Sequence, residues 1–310
     1  MPHQHSHDHQ HHHHDHHSHS ASSSNKAFAI SAALNFAFVM VEVVAAVYAN
    51  SMSLLGDAAH NFADVLGLLM AWGATWLLNR SATEKFSYGY KKSTILSALA
   101  NAFLLVATSA IIIYEAVLKL IYPTQVHESI VIIVALFGIV INGGAALLFI
   151  KEQGEDLNIK GAYLHLAYDA LISLGVVIGG VLMLITKWWW LDPVVGILIV
   201  LVILKGTLGL LRDSVSLILG AVPYGIDSAA VRSYFSSIDG VAAVHDLHIW
   251  GLSTRETALT VHLIMPNRVL SDAELMQINH DLQHVFKINH VTIQVEKGNA
   301  DNPCGQVITC

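Results

Sequence analysis

The sequence predicts a polytopic α-helical membrane domain of six transmembrane helices, followed by a C-terminal α+β cytoplasmic domain of order αββαβ with a metallochaperone-like layout. Three observations carry this. Of 310 residues, 54% are hydrophobic and 13% charged, far from the balance of a soluble globular protein. Six apolar stretches, at 28–49, 55–78, 95–121, 128–150, 162–186 and 191–211, are each about long enough for the ~20 residues that cross a hydrocarbon core. After residue 213 the texture changes to alternating, charged sequence.

Residues 1–25 precede the first stretch and read as a disordered tail, with eleven of the twenty histidines interleaved among serines, Asp8 and Asp15. The interleaving suits a natural metal-collecting segment rather than a purification tag, and no signal peptide is expected. The formal net charge is −7, and its value at the N-terminal end depends on pH and metal. With that balance nucleic acid is not an expected partner. The two cysteines, Cys304 and Cys310, lie in a predicted flexible tail at 298–310, so no disulfide framework supports the fold.

Within residues 26–212 the basic side chains alternate in side. Lys26, Arg80, Lys85, Lys91, Lys92, Lys151, Lys160, Lys205 and Arg212 fall on one set of connections, and only Lys187 on the opposite set. The positive-inside rule then puts both termini in the cytoplasm. Trp188, Trp189 and Trp190 read as an interfacial belt, and Asp192-Pro193 as the first turn of helix six, where proline loses no helical bond. In the domain at 213–297, helices are expected at 226–238 and at Asp272 to Phe286, the latter capped by Ser271, with strands at 243–250, 257–264 and 290–296. Its core is small, so metal or self-association is expected to steady it.

A four-residue pattern occurs twice inside the apolar stretches: His60-Asn61-Phe62-Ala63-Asp64 in helix two and His165-Leu166-Ala167-Tyr168-Asp169 in helix five. Helical positions i and i+4 share a face, so each pattern aims an imidazole and a carboxylate the same way. Two such faces meeting make an N2O2 set that suits a tetrahedral divalent ion, zinc first. Ionisable groups at membrane depth mark a pathway, a pair or a proton relay. Asp57 continues the helix-two face and reads as a partner that holds an imidazole or as a proton carrier. Glu42, Asn101, Glu115 and Asn142 read as interhelical hydrogen-bonding groups or, for Glu115, as a helix-end position near the interface.

The run Asn50-Ser51-Met52-Ser53-Leu54-Leu55-Gly56-Asp57-Ala58-Ala59-His60, the second His-x3-Asp, Asp192-Pro193, the histidine-rich leader and the αββαβ domain together resemble the cation diffusion facilitators, in particular their zinc-exporting branch. The resemblance covers residues 26–297. It implies a homodimeric, proton-coupled antiporter working by alternating access, with His60, Asp64, His165 and Asp169 as the transport site and Zn2+ as the transported ion. Histidine at the first of these positions goes, in that family, with preference for zinc over cadmium. Two departures stand out. Phe86-Ser87-Tyr88-Gly89-Tyr90 replaces a histidine-bearing loop that holds a second metal in some members. On the cytoplasmic sheet, His245, His262 and Glu296 match a family metal site of structural or regulatory kind, but Gln294 stands where a histidine ligand is common. His248 is expected on the opposite strand face, and His280, His284 and His290 as solvated surface residues.

The resulting expectation is zinc efflux from the cytoplasm by proton antiport across a bacterial inner membrane, with no organic cofactor and no enzymatic activity. A membrane metalloenzyme would need an open coordination position with a general base, and no His-Glu-x2-His motif is present. The alternative is a membrane-anchored zinc sensor or storage protein, which leaves ligand pairs at mid-membrane unexplained.

Overall fold

The computed structural model describes residues 33, 36–150 and 157–298. The histidine-rich segment, the start of the first apolar stretch and the cysteine-bearing tail lie outside them. Five helices are long and apolar enough to cross a membrane: α2 (Met52–Leu78), α3 (Ser93–Ile121), α4 (Glu128–Phe149), α5 (Leu157–Thr186) and α6 (Leu191–Ile218). Before them, α1 is a shorter apolar helix, Phe36–Ala49, within the described residues. Many large apolar side chains on these helices face outward, among them Leu68, Trp72, Phe103, Ile111, Val140 and Leu171. In water such a surface would be unstable; in a bilayer it is the lipid-facing shell.

The helices pack as α4 on α5 and α3 on α6, with α2 joining the two pairs. One apolar cluster, including Ala46, Leu54, Val131, Val176 and Ile199, ties five helices together at the end where α1 turns into α2. Close approach is built into this frame. A Cβ on Gly196 of α6 would lie 2.9 Å from the Met52 backbone, so only glycine lets α6 meet the start of α2. The contact is polar at its centre. Asp192, fully buried, accepts hydrogen bonds from the Ser51 hydroxyl (2.5 Å), the Ser53 hydroxyl (2.6 Å) and the Met52 and Ser53 backbone N–H groups. Ser51 is itself the N-cap of α2, its hydroxyl accepting from Leu54 N–H at 3.1 Å. The carboxylate thus sits at the positive end of α2 and satisfies donors that a helix start leaves open.

Helix α6 runs to Ile218, past the predicted end at residue 211. Arg212 and Asp213 look like an interface in sequence, but the helix continues beneath the second domain, where Leu217 lies against Gly251. That domain comprises α7 (Ser228–Ser236), β1 (Ala243–Gly251), β2 (Thr257–Ile264), α8 (Asp272–His284) and β3 (His290–Glu296). Asp227 caps α7, and Ser271 with Glu274 forms a reciprocal capping box at the start of α8. Strand order is β1-β2-β3, with β1 antiparallel and β3 parallel to β2, so α8 is the crossover. One sheet face carries Ile249, Leu259, Val261 and Leu263 against Val231 and Phe235 of α7 and Ile278 and Leu282 of α8. The other face is left for polar residues.

The β1–β2 turn docks on the membrane domain. Lys91 pairs with Glu256, Thr254 N–H donates to the Thr94 hydroxyl at 3.1 Å, and Tyr88 meets His290 edge to face.

Candidate metal centre

Helices α2 and α5 bring the two His-x3-Asp patterns together. His60 Nε2 lies 3.5 Å from Asp64 Oδ2 in its own helix and 3.4 Å from Asp169 Oδ1 across the interface. His165 Nε2 mirrors it, 3.6 Å from Asp169 Oδ2 and 3.4 Å from Asp64 Oδ2. The two imidazoles meet edge to face, ring centroids 6.2 Å apart. Ligand atoms of His60, Asp64 and Asp169 all fall within 4.8 Å of one another, and His165 closes the square through its two carboxylate contacts. Each carboxylate therefore faces both imidazoles. This is a geometry that neutral imidazoles and ionised carboxylates can satisfy around one divalent ion.

The four side chains differ in exposure in a way that gives the centre a closed and an open side. Asp169 is 1% exposed, His60 15%, Asp64 27% and His165 47%. Several buried oxygens and nitrogens here, including both oxygens of Asp169 and Oδ2 of Asp64, lack a hydrogen-bond partner among the described residues. Orphaned polar atoms at this density mark a place for a ligand rather than a packed core.

Around the square lies a ring of further buried polar groups. The Ser173 hydroxyl, one turn beyond Asp169, donates to Asp57 Oδ2 at 2.9 Å. Asn61 Nδ2 donates to Glu42 Oε2 of α1 at 3.0 Å. Helix α4 comes in close beside them, because a Cβ on Gly138 would lie 2.8 Å from the Ser173 hydroxyl.

A second group of candidate ligands gathers on the free sheet face. His245 pairs with His262 across β1 and β2, and His262 with Gln294 across β2 and β3. His262 Nδ1 lies 2.9 Å and His245 Nε2 3.4 Å from the Glu296 carboxylate, and the rings are 5.1 Å apart. Gln294 Nε2 donates to Glu296 Oε1 at 2.8 Å, so it sits beside the cluster as a hydrogen-bond donor.

The register slips between His245 and His248, so Asp246 and Leu247 stand opposite Val261 alone. This bulge overturns the expected placement of His248: strict alternation is broken, and His248 pairs with Thr260 on the same face as His262. It also turns in Asp246, a residue with φ of 49° that sequence reasoning missed. Asp246 Oδ2 lies 3.4 Å from His262 Nε2, while Oδ1 accepts from His248 Nε2 at 2.8 Å. That hydrogen bond, with the nearby His262 and His245, holds the Asp246 carboxyl below its usual range.

Fold and centre together define a helical membrane protein with a metal-ligand set between two spanning helices and a small α+β domain attached. The chain belongs to the cation diffusion facilitator family. The cation efflux transmembrane domain matches residues 28–219, and the cation efflux protein cytoplasmic domain matches residues 223–298. This is a family of transporters rather than enzymes. Among relatives, the metal cation efflux system protein CzcD of Cupriavidus metallidurans is 37% identical over 89% of this chain and 87% of its own length. The cadmium, cobalt and zinc/H(+)-K(+) antiporter of Bacillus subtilis is 31% identical over 84% of this chain and 85% of its own. The zinc transporter ZitB of Escherichia coli is 33% identical over 84% and 83%.

Proposed function

We propose that the protein exports zinc from the cytoplasm in exchange for protons, with His60, Asp64, His165 and Asp169 as the transport site. The observation that carries this is the meeting of two His-x3-Asp pairs across α2 and α5, with four imidazole–carboxylate contacts of 3.4 to 3.6 Å. The names of the relatives, a cation efflux protein, a zinc transporter and a zinc/H(+)-K(+) antiporter, support the same reading.

The coupling follows from the ligand chemistry. Zinc needs neutral imidazoles and ionised carboxylates, so protons and metal compete for the same four side chains. An imidazole with an unperturbed pKa of about 6.5 is poised for that competition near neutral pH. On the more acidic side of the membrane, protonation of His60 or His165 weakens the set and releases the ion. Return to the cytoplasmic side gives up the proton. His60 stands at the position where, by the family resemblance, histidine goes with preference for zinc over cadmium.

In this reading the membrane domain at 26–212 has six membrane helices, α1 being the first, with both termini, the histidine-rich segment at 1–25 and the domain at 213–297 on the cytoplasmic side. The membrane is a bacterial inner membrane, in keeping with bacterial relatives. The working unit is a homodimer, a proposal supported by the dimerisation label carried by the C-terminal domain family. His245, His262 and Glu296, with Asp246, hold a second zinc ion that stiffens or regulates the cytoplasmic sheet.

Asp64→Ala or Asp169→Ala is expected to abolish zinc-dependent proton flux in proteoliposomes carrying a pH gradient. Unchanged flux in either variant would end the four-ligand proposal.

A further inference from the structure

Resting on the four-ligand reading, we propose that Glu42 is a proton-holding residue of the transport cycle, carrying a proton that it donates to Asp57. Both side chains are fully buried, Glu42 on α1 and Asp57 on α2, one turn from His60. Their carboxyls are in side-chain hydrogen-bonding contact with each other.

The argument is an accounting of four oxygens. Glu42 Oε2 accepts from Asn61 Nδ2 at 3.0 Å, and Asp57 Oδ2 accepts from the Ser173 hydroxyl at 2.9 Å. Among the described residues no side chain or backbone group donates to Glu42 Oε1 or Asp57 Oδ1. A single proton on Glu42 Oε1, donated to Asp57 Oδ1, satisfies both at once. Without it, two ionised carboxylates would lie side by side in a buried interior, and among the described residues neither pairs with a lysine or arginine. Like-charged carboxyls in that position share a proton.

The charged groups acting on Glu42 are Asp57 and, farther off, Asp169 from α5; His60 acts in turn on Asp57. Asn142 of α4 is buried and neutral, and neither of its amide atoms has a partner among the described residues. Asp57 therefore keeps one negative charge beside the transport site while Glu42 stays neutral. Arrival of Zn2+ adds two positive charges nearby and favours loss of the Glu42 proton; departure of the ion favours its return. The proton passes as H+ from Glu42 to solvent and back, leaving the bonds of both carboxyls otherwise unchanged. Imidazole protonation is then not the whole of the proton count.

The test is zinc calorimetry on the purified full-length protein in buffers of different ionisation enthalpy, paired with infrared difference spectra of zinc-loaded minus zinc-free protein. Glu42→Gln keeps the length of the side chain and an N–H donor toward Asp57 but has no acid proton. It should release roughly one proton fewer per zinc bound than the natural protein, and should lose the protonated-carboxyl band that zinc removes from the natural protein. An unchanged proton count with an unchanged band would overturn the proposal. Where Glu42→Gln does not fold, Asp57→Asn decides, because removing the acceptor charge must shift that band, and an unshifted band overturns the assignment. Asp169→Ala separates the two readings: if it binds zinc like the natural protein the four-ligand site fails. If it binds one zinc fewer per chain while Glu42→Gln behaves as the natural protein, only the role of Glu42 fails.

Discussion

The two candidate metal clusters both combine imidazoles with carboxylates and differ in what holds them. Between α2 and α5 each His–Asp pair is set by one turn of one helix, and the site exists only while the two helices stay in register. On the cytoplasmic sheet the ligands are cross-strand neighbours held by backbone ladders, with a bulge supplying Asp246. A site made of two helices that touch along one seam can open by a small sliding of one helix. A site stitched across three hydrogen-bonded strands cannot. The difference is in keeping with the moving role proposed for the first and the static one proposed for the second.

The largest effect that tests this contrast is expected from Asp192→Ala. Asp192 satisfies two hydroxyls and two backbone N–H groups at the start of α2, all buried. Removing it strands those donors, at about 1–3 kcal/mol for each buried group left unpaired. The variant should lose several degrees of thermal stability in detergent and most of its transport, while zinc still binds on the cytoplasmic sheet. Loss of the sheet site as well would show that the two clusters are not mechanically separate.

His262→Ala probes the other half. His262 touches both Glu296 and Asp246, so its removal takes the common partner out of the cluster. Zinc bound per chain should fall by one site in equilibrium dialysis, the affinity there dropping by at least about 100-fold, while transport continues at a reduced rate. Complete loss of transport would make the sheet site part of the ion's path and remove the contrast.

Much of the helical site was legible because its information is local. The 3.6-residue period alone puts His60 with Asp64 and His165 with Asp169. Which groups would surround that square was not legible. Periodicity gives a face but neither depth nor rotation against α1 and α4, so Glu42 read as an ordinary interhelical donor or acceptor and its contact with Asp57 was invisible. Asp192 read as a helix-start residue, yet its partners are 139 to 141 residues away. In the sheet, alternation placed His245 and His262 correctly on one face and misplaced His248, because a bulge adds one residue without a marked signature. An aspartate at positive φ is the trace it leaves, and aspartate tolerates that region well enough not to stand out in sequence.

The smallest effect concerns a feature wholly legible in sequence, the Ser271-x-x-Glu274 capping box of α8. Glu274 accepts from the Ser271 backbone N–H at 2.9 Å and its hydroxyl at 2.8 Å, and pairs with Arg268. The backbone and hydroxyl hydrogen bonds of Ser271 first, and the Arg268 guanidinium after them, hold the Glu274 carboxyl below its ordinary value of 4.5. A carboxyl depressed in the folded state binds its proton more readily when unfolded. Its contribution is therefore full above the unfolded pKa and is lost as pH falls through the lower, folded one. The stability of the cytoplasmic domain within the full chain, followed by hydrogen exchange of α8 amides, should weaken on acidification below about pH 5. Glu274→Gln should flatten that dependence and leave transport and both zinc sites as they are. Since α8 packs on the core face and the histidines lie on the other, a change in zinc binding in this variant would mean that the two faces of the sheet are coupled.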